Sequence, residues 1–249
     1  MNYDKFTKKA LLYDKYRPKY SEKFIDYLYN NVGFSSESVI ADIGAGTGIL
    51  SEEFLKRGSK VICVEPNNKM LEQARQKKFK YRNFSYINSF AENTMIDEST
   101  VDAITVGQAF HWFDKKKFLE ECKRILIDDG NVVLAWNVTD SEAEVNKKIH
   151  CLNVKTIKDY NGYNARDKED NSNYNDFFNN MSYYTFDNDL LLNKDEFVGR
   201  CLSRSYAPNI SDNNYEAYVT GLSNIFDLYS RNNKVRIKNK TKCILGKVK

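Results

Sequence analysis

The residues of this chain best suited to hold a ligand lie between Asp42 and Glu65. Gly44-Ala45-Gly46-Thr47-Gly48 puts three of the eleven glycines directly after the apolar run "SVIADI". A glycine-rich turn between a buried strand and a helix lets a ligand approach the backbone and sets a helix N-terminus beside it. The next apolar run, "KVICV", ends in Glu65, whose carboxylate can accept both hydroxyls of a ribose lying across the sheet edge. That chemistry is nucleoside binding. A dinucleotide fingerprint would read G-x-G-x-x-G, and Ile49 stands where its third glycine belongs. His111, beyond the fourth apolar run "VDAITV", is the candidate general base, placed where an α/β crevice opens.

These residues need strands and helices that bring them to one edge, and the patterning supplies them. "SVIADIG", "KVICVE", "FSYINSF", "VDAITVGQAF" and "NVVLAWNV" read as five strands, the longer ones continuous and apolar as in a parallel sheet covered on both faces. Between them "ILSEEFLKRG" and "NNKMLEQARQKK" read as helices, the first ending at Gly58. "DKKKFLEECKRILIDDG" carries Phe118, Leu119, Cys122, Ile125 and Leu126 on one face, from Asp114 as N-cap to Gly130 as stop. Alternation of this kind gives right-handed crossovers and a doubly wound sheet. From Thr139 to Asn180 the period fades, and "DYNGYNARDKEDNSNYND" reads as a loop-rich insertion. "MSYYTFDNDLLL" then reads as a strand, followed by a helix with Tyr215, Tyr218, Val219, Leu222, Ile225, Phe226 and Tyr229 on one face. In "KVRIKNKTKCILG", Lys234, Arg236, Lys238, Lys240 and Lys242 alternate with Val235, Ile237, Asn239, Thr241 and Cys243, a strand wet on one face rather than a nucleic-acid surface.

"VIADIGAGTG" with "VICVEPNNKM" resembles the first two motifs of class I S-adenosylmethionine-dependent methyltransferases. "SFAENTMIDESTVDAITVGQAFHWFD" and "YDKYRPKY" are similar to the methyltransferase type 11, trans-aconitate methyltransferase-like small-molecule branch. The resemblance implies a Rossmann-like, mostly parallel seven-stranded sheet with one antiparallel strand near the C-terminal edge, supplied by "KVRIKNKTKCILG". It implies one domain: an N-terminal helical cap or lid over residues 1–32, a cofactor core over 33–138, an insertion and substrate side over 139–215, and a closing helix and strand over 216–249. For the cofactor S-adenosylmethionine it implies Gly44, Ala45 and Gly46 against the methionine part, Asp42 near its amino group, Glu65 on the ribose, and Pro66, Met70, Ala91 and Glu92 about the adenine. Thr47, Gln108, Phe110, Tyr13 and Arg17 complete the expected cofactor set. Phe90 stands where many relatives have an aspartate. Trp112 and Tyr16 are expected in the substrate pocket, and His111, Arg17 and Arg204 in catalysis.

The reaction expected is in-line transfer of a methyl group to an oxygen or nitrogen of a small molecule, a carboxylate oxygen among the acceptors. A carboxylate needs a cation, Arg17 or Arg204, whereas a hydroxyl or amine needs a base, His111. Two alternatives stay open: a nicotinamide-dependent (NAD(P)) oxidoreductase and a non-catalytic S-adenosylmethionine-binding module. After the fourth strand Gln108-Ala109-Phe110-His111-Trp112 lacks both the Asn/Asp-Pro-Pro-Tyr run of base-amine methylation and a cysteine nucleophile, so no nucleic-acid partner is expected. The 249 residues, 41% hydrophobic and 29% charged with a net charge of +4, fit one globular cytoplasmic domain, monomer or weak homodimer, without a membrane segment. Five scattered cysteines and two histidines without ligand spacing predict buried free thiols and no metal.

Overall fold

A computed structural model of the chain describes residues 10–158, 160, 162 and 172–249. Most of the polar stretch 159–176, read above as an insertion, lies outside the described residues. The chain opens with helices α1 (Ala10–Tyr16) and α2 (Glu22–Tyr27), the latter continuing through a π turn, Leu28–Val32, that ends on Gly33 at φ +98°. Strand β1 (Val39–Ile43), helix α3 (Ile49–Leu55), strand β2 (Lys60–Val64), helix α4 (Asn68–Arg75), strand β3 (Phe84–Ile87) and strand β4 (Val101–Gly107) follow in strict alternation up to β3. Then come α5 (Lys115–Ile125), β5 (Leu126–Thr139), α6 (Glu144–Thr156), α7 (Ser172–Asn175), β6 (Phe178–Asp187), β7 (Leu190–Leu192), α8 (Lys194–Leu202), α9 (Tyr215–Tyr229), β8 (Val235–Ile237) and β9 (Asn239–Val248).

The main sheet has seven strands in the order β3-β2-β1-β4-β5-β9-β6. The first five are parallel, and β9 runs antiparallel to both β5 and β6. This is the expected sheet, with the antiparallel strand second from the edge. β1 leads to β2 on one side and borders β4 on the other, so the strand order reverses at β1 and a crevice opens at the carboxyl ends of β1 and β4. Helices cover both faces. Phe118, Cys122 and Ile125 of α5 pack with Ile104, Val106, Val132 and Leu134 on one face; Leu50 and Phe54 of α3 pack with Ile40, Val61, Ala103 and Val133 on the other. A third cluster joins α6, α8, α9, β7 and β8 around Phe197, Tyr218, Leu222 and Phe226.

Local chemistry fixes the boundaries. Asn67 caps α4 by accepting from the Lys69 and Met70 N–H groups, and Asp114 caps α5 by accepting from Lys117. Gly130 does not stop a helix. α5 ends at Ile125, Leu126 turns extended, and the β4–β5 register jumps from Val101↔Leu126 to Ala103↔Asn131, with Gly130 inside the irregularity. A Cβ there would meet Leu126 Cδ2 at 2.6 Å and the Ile127 carbonyl oxygen at 3.1 Å, so a side chain at 130 would have to displace Leu126. The "KVRIKNKTKCILG" stretch divides into β8 and β9; Arg236, Lys238, Lys240 and Lys242 are exposed and the alternate residues from Val235 to Cys243 buried, as its period predicts. All five cysteines are free, and Cys151 is exposed rather than buried. Among the described residues no helix is long and apolar enough to cross a membrane.

Candidate functional site

The turn after β1 is tied down by its own N–H groups. Gly44 and Ala45 donate to the Val64 carbonyl at 2.8 and 3.1 Å, Gly46 donates to Glu65 Oε2 at 2.8 Å, and Gly48 donates to the Ala45 carbonyl at 2.9 Å. Gly44, Gly46 and Gly48 have φ of +65°, +60° and +75°, where a side chain is strained. The first two serve different neighbours. A Cβ on Gly44 would lie 2.7 Å from Ala109 and 3.0 Å from Phe113, so this glycine lets the β1 and β4 loops touch. A Cβ on Gly46 would meet only the end of Met70, at 3.2 Å, and would stand in the crevice itself.

Glu65 closes this arrangement. Its Oε1 accepts from Asn67 N–H at 2.8 Å while Oε2 holds Gly46, so one carboxylate bridges the ends of β1 and β2. Only 7% exposed, it has its pKa pushed up to about 7 by burial, against the pull of the Asn67 and Gly46 N–H groups. Each oxygen keeps a second lone pair for a ligand hydroxyl.

Two cavities adjoin the turn. The larger, about 240 Å³, is lined by Gly44, Gly46 and Glu65 and by Pro66, Met70, Phe90, Ala91 and Glu92. Ala109, Trp112 and Phe113 form its side. Glu92 is held by accepting from Asp114 N–H at 2.7 Å, and Phe90 and Trp112 are partly exposed at the rim. The smaller cavity, about 30 Å³, is walled by Asp42 and Ala45, by Pro18, Tyr20 and Asn137, and by three arginines, Arg17, Arg200 and Arg204. Tyr13, Gly107 and Gln108 line both. Gln108 sits at φ +62°, its N–H on the Ala135 carbonyl and its Nε2 donating to the Asn137 carbonyl at 3.2 Å. A non-glycine residue held there where two cavities meet marks stored strain.

Asp42 is fully buried and faces inward. Its Oδ2 accepts from Ser51 at 2.5 Å and its Oδ1 from Thr105 at 2.9 Å, and burial raises its pKa to about 6 against those bonds. Arg17 stacks over the Tyr13 ring at 4.6 Å; burial lowers its pKa to about 10, with Arg204 and Arg200 adding to the shift and Tyr13 opposing it.

The structure thus assembles Gly44, Gly46, Glu65, Pro66, Met70, Ala91, Glu92, Gln108 and Tyr13 around one cavity, and Asp42, Ala45, Arg17 and Arg204 around the other. Several expected residues lie elsewhere. Phe110 is fully buried, stacked against Tyr174 and edge-on to Phe177. Trp112 lines the larger cavity rather than the arginine-walled one, and His111 lines neither. The cause is the 3₁₀ turn Phe110–Trp112, which sends successive side chains about a third of a turn apart, so that core, flank and cavity each receive one. Thr47 is buried outside both cavities. Tyr16 lines neither cavity: it donates to Asp195 at 2.8 Å and lies on Gly199, where a Cβ would fall 2.6 Å from its ring. Sequence reading missed Arg200 and Asn67, which line the smaller and the larger cavity.

Residues 41–134 match the family described as a methyltransferase domain. An uncharacterised methyltransferase of Mycobacterium tuberculosis is 33% identical over 128 residues, covering 51% of this chain and 50% of the relative. The demethylmenaquinone methyltransferase of Thermotoga maritima is 28% identical over 121 residues, covering 47% and 51%. The chain thus spans about half the length of the curated relatives it matches. Among solved structures, a protein assigned as a type II methyltransferase in Anaeromyxobacter dehalogenans superposes with a TM-score of 0.65 at 18% identity, over 93% of this chain and 97% of that one. A phosphoethanolamine N-methyltransferase of Haemonchus contortus, solved with phosphomonomethylethanolamine and S-adenosylhomocysteine, gives 0.56 at 16% identity, over 98% and 58%. Both likenesses concern the fold.

Proposed function

We propose that this chain, whose residues 41–134 match a methyltransferase domain, transfers the methyl group of S-adenosylmethionine to an oxygen or nitrogen atom of a small molecule, leaving S-adenosylhomocysteine. The observation that carries the reading is the fate of the turn's N–H groups. Gly44, Ala45, Gly46 and Gly48 spend theirs on Val64, Glu65 and Ala45, so the turn has little left to cradle a pyrophosphate. What it presents is a carboxylate, Glu65, suited to ribose hydroxyls and hostile to phosphate. This favours a nucleoside sulfonium over a nicotinamide dinucleotide. The Haemonchus neighbour, which holds S-adenosylhomocysteine in the same fold, supports the choice.

In this reading Glu65 takes the ribose, Pro66, Met70, Ala91 and Glu92 border the adenine, and Gly44 to Gly46 lie along the chain leading to the sulfur. Asp42 ties the end of β1 to α3 through Ser51 and to β4 through Thr105. The acceptor enters the smaller cavity and meets the methyl at the wall of Tyr13, Gly107 and Gln108. The donor supplies an activated methyl and a neutral leaving thioether; the chain's residues position the nucleophile and keep water out.

Thermal unfolding with S-adenosylhomocysteine, NAD and NADP tests the donor, with stabilisation expected from the first alone. Incubating the protein and methyl-labelled S-adenosylmethionine with a metabolite extract should give a labelled small molecule by mass spectrometry. Stabilisation by a nicotinamide dinucleotide would overturn the reading, as would donor binding without any labelled product.

A further inference from the structure

Residues 17–21, between α1 and α2, form no helix or strand, yet they are pinned to the sheet on both sides of Tyr20. Asn137 Nδ2 donates to the Pro18 and Lys19 carbonyls at 3.1 and 3.2 Å, and Asn188 Nδ2 donates to the Lys19 carbonyl at 2.9 Å. The Ser21 N–H donates to Thr241 Oγ1 at 3.0 Å, and the Ser21 hydroxyl donates to the Asp187 carbonyl at 2.9 Å. The Tyr20 ring packs on Phe24, 6.1 Å between centroids, and its hydroxyl reaches the carboxyl end of β4. A Cβ on Gly107 would collide with that hydroxyl oxygen and fall 3.2 Å from Leu50. Gly107 has no left-handed φ, so space alone requires the glycine, and the Tyr20 hydroxyl is what fills it. Tyr20 is 7% exposed and lines the smaller cavity, and its hydroxyl makes no hydrogen bond among the described residues. A buried tyrosine hydroxyl ordinarily has a partner. Burial, with Tyr13 and Asp42 adding and Arg17 opposing, holds its pKa well above the usual tyrosine value, so it stays a neutral phenol and is no base.

We propose that the Tyr20 hydroxyl oxygen is the polar contact of the donor's transferable methyl group, accepting its C–H bonds at the wall between the two cavities and aiming it into the smaller one. The proposal rests on the larger cavity being the donor site. Gly107 lines both cavities, together with Tyr13 and Gln108, so an oxygen seated against it stands where a group must project from the larger into the smaller. The sulfonium charge polarises the methyl hydrogens toward an oxygen, each such contact being weak by itself. Asp42, the carboxylate in the smaller cavity's wall, already spends its oxygens on Ser51 and Thr105. A neutral phenol draws the methyl without competing for it, whereas a phenolate would be a nucleophile. Because the backbone on both sides of Tyr20 is fixed beforehand, the contact costs no ordering when the donor arrives.

Calorimetry with three ligands reads this contact without any acceptor: S-adenosylhomocysteine, S-adenosylmethionine, and sinefungin, in which a carbon bearing a protonated amine replaces the methylated sulfur. The first has no group to offer Tyr20, the second offers polarised C–H bonds, and the third offers a charged N–H donor. Tyr20→Phe removes the oxygen and keeps the ring. It should leave S-adenosylhomocysteine affinity within about twofold, weaken S-adenosylmethionine about threefold and weaken sinefungin about tenfold or more. The free variant should melt no lower than the wild type, since no hydrogen bond within the chain is lost; a lower melting temperature would give the hydroxyl a partner inside the fold and overturn the assignment. Gly107→Ala, whose Cβ takes the oxygen's seat, should lower the affinity for sinefungin relative to S-adenosylhomocysteine by a similar factor, and it carries the test if Tyr20→Phe does not fold. Three ligands weakened alike, or none weakened, would overturn the proposal and leave Tyr20 a packing residue. Absence of S-adenosylhomocysteine binding to the wild-type protein would instead sink the donor reading, and the proposal with it.

Discussion

Glu65→Gln separates the charge of this residue from its shape. In the free protein the carboxylate is buried between the Gly46 and Asn67 N–H groups, with a pKa raised from 4.5 to about 7. Ribose hydroxyls donate to the ionised form, so binding must first remove the proton retained below that value. S-adenosylhomocysteine affinity should therefore fall roughly 50-fold between pH 7 and 5, the slope approaching tenfold per pH unit below about 6. Glutamine keeps the size but accepts through one atom only and turns a donor toward Gly46 or Asn67. The affinity at pH 8 should drop about 30-fold, equivalent to about 2 kcal/mol, and lose most of its pH dependence. Stability provides an independent reading. Between pH 4.5 and 7 the folded protein holds a proton on Glu65 that the unfolded chain releases, so this group's contribution is fully present below 4.5 and is lost as pH rises toward 7. A shift from 4.5 to about 7 corresponds to about 3 kcal/mol. Urea unfolding followed by fluorescence of Trp112 and Trp136 should give a fall in unfolding free energy across this window that is smaller in the variant by about that amount. Asp42, raised from 3.8 to about 6, titrates with the same sign in both proteins and contributes to the fall in each. Calorimetric affinities that are flat from pH 5 to 8 in the wild type, or equally steep in the variant, would refute the assignment of the buried proton to Glu65.

Gly44→Ala forces a side chain to φ +65° against Ala109 and Phe113, and should cost about 2–4 kcal/mol in urea unfolding while abolishing S-adenosylhomocysteine binding. Gln108→Gly relieves the positive φ and should raise stability by about 1 kcal/mol, yet lower single-turnover rate because the link to Asn137 is lost; a melting temperature that falls would show the conformation was not strained. His111→Ala should leave S-adenosylhomocysteine affinity within about threefold and turnover nearly unchanged, since the ring lines neither cavity; a loss near the 10²-fold typical of a removed general base would restore it as the base.

The path from sequence to site was clear where backbone chemistry dictates geometry. Gly44 to Gly48 and Glu65 could be placed because a parallel sheet with reversed strand order brings the ends of β1, β2 and β4 to one edge, and the apolar runs reveal those strands. The sheet's antiparallel strand was readable from the alternation between Val235 and Cys243, although its division at Lys238 was not, because one period runs through both β8 and β9. Side-chain direction within short turns was opaque. Phe110, His111 and Trp112 are consecutive, and only the 3₁₀ geometry decides that Phe110 enters the core and Trp112 the cavity. Arg200 was hidden for another reason: its neighbours Phe197 and Cys201 mark a core helix, and the arginine belongs to the site only because α8 packs beside α1.

Helix α1 has a consequence for both cavities. Its Tyr13 walls both cavities, and it is fastened on one side by Lys77 to Asp14 and on the other by Asp195 to Lys15 and Tyr16. The Asp195 pair is solvent-exposed and worth about 1 kcal/mol or less, whereas Lys77 is mostly buried and the Tyr16 ring packs on Gly199. Tyr13 is a wall common to both cavities, so a substitution there, such as Tyr13→Ala, changes the two volumes together.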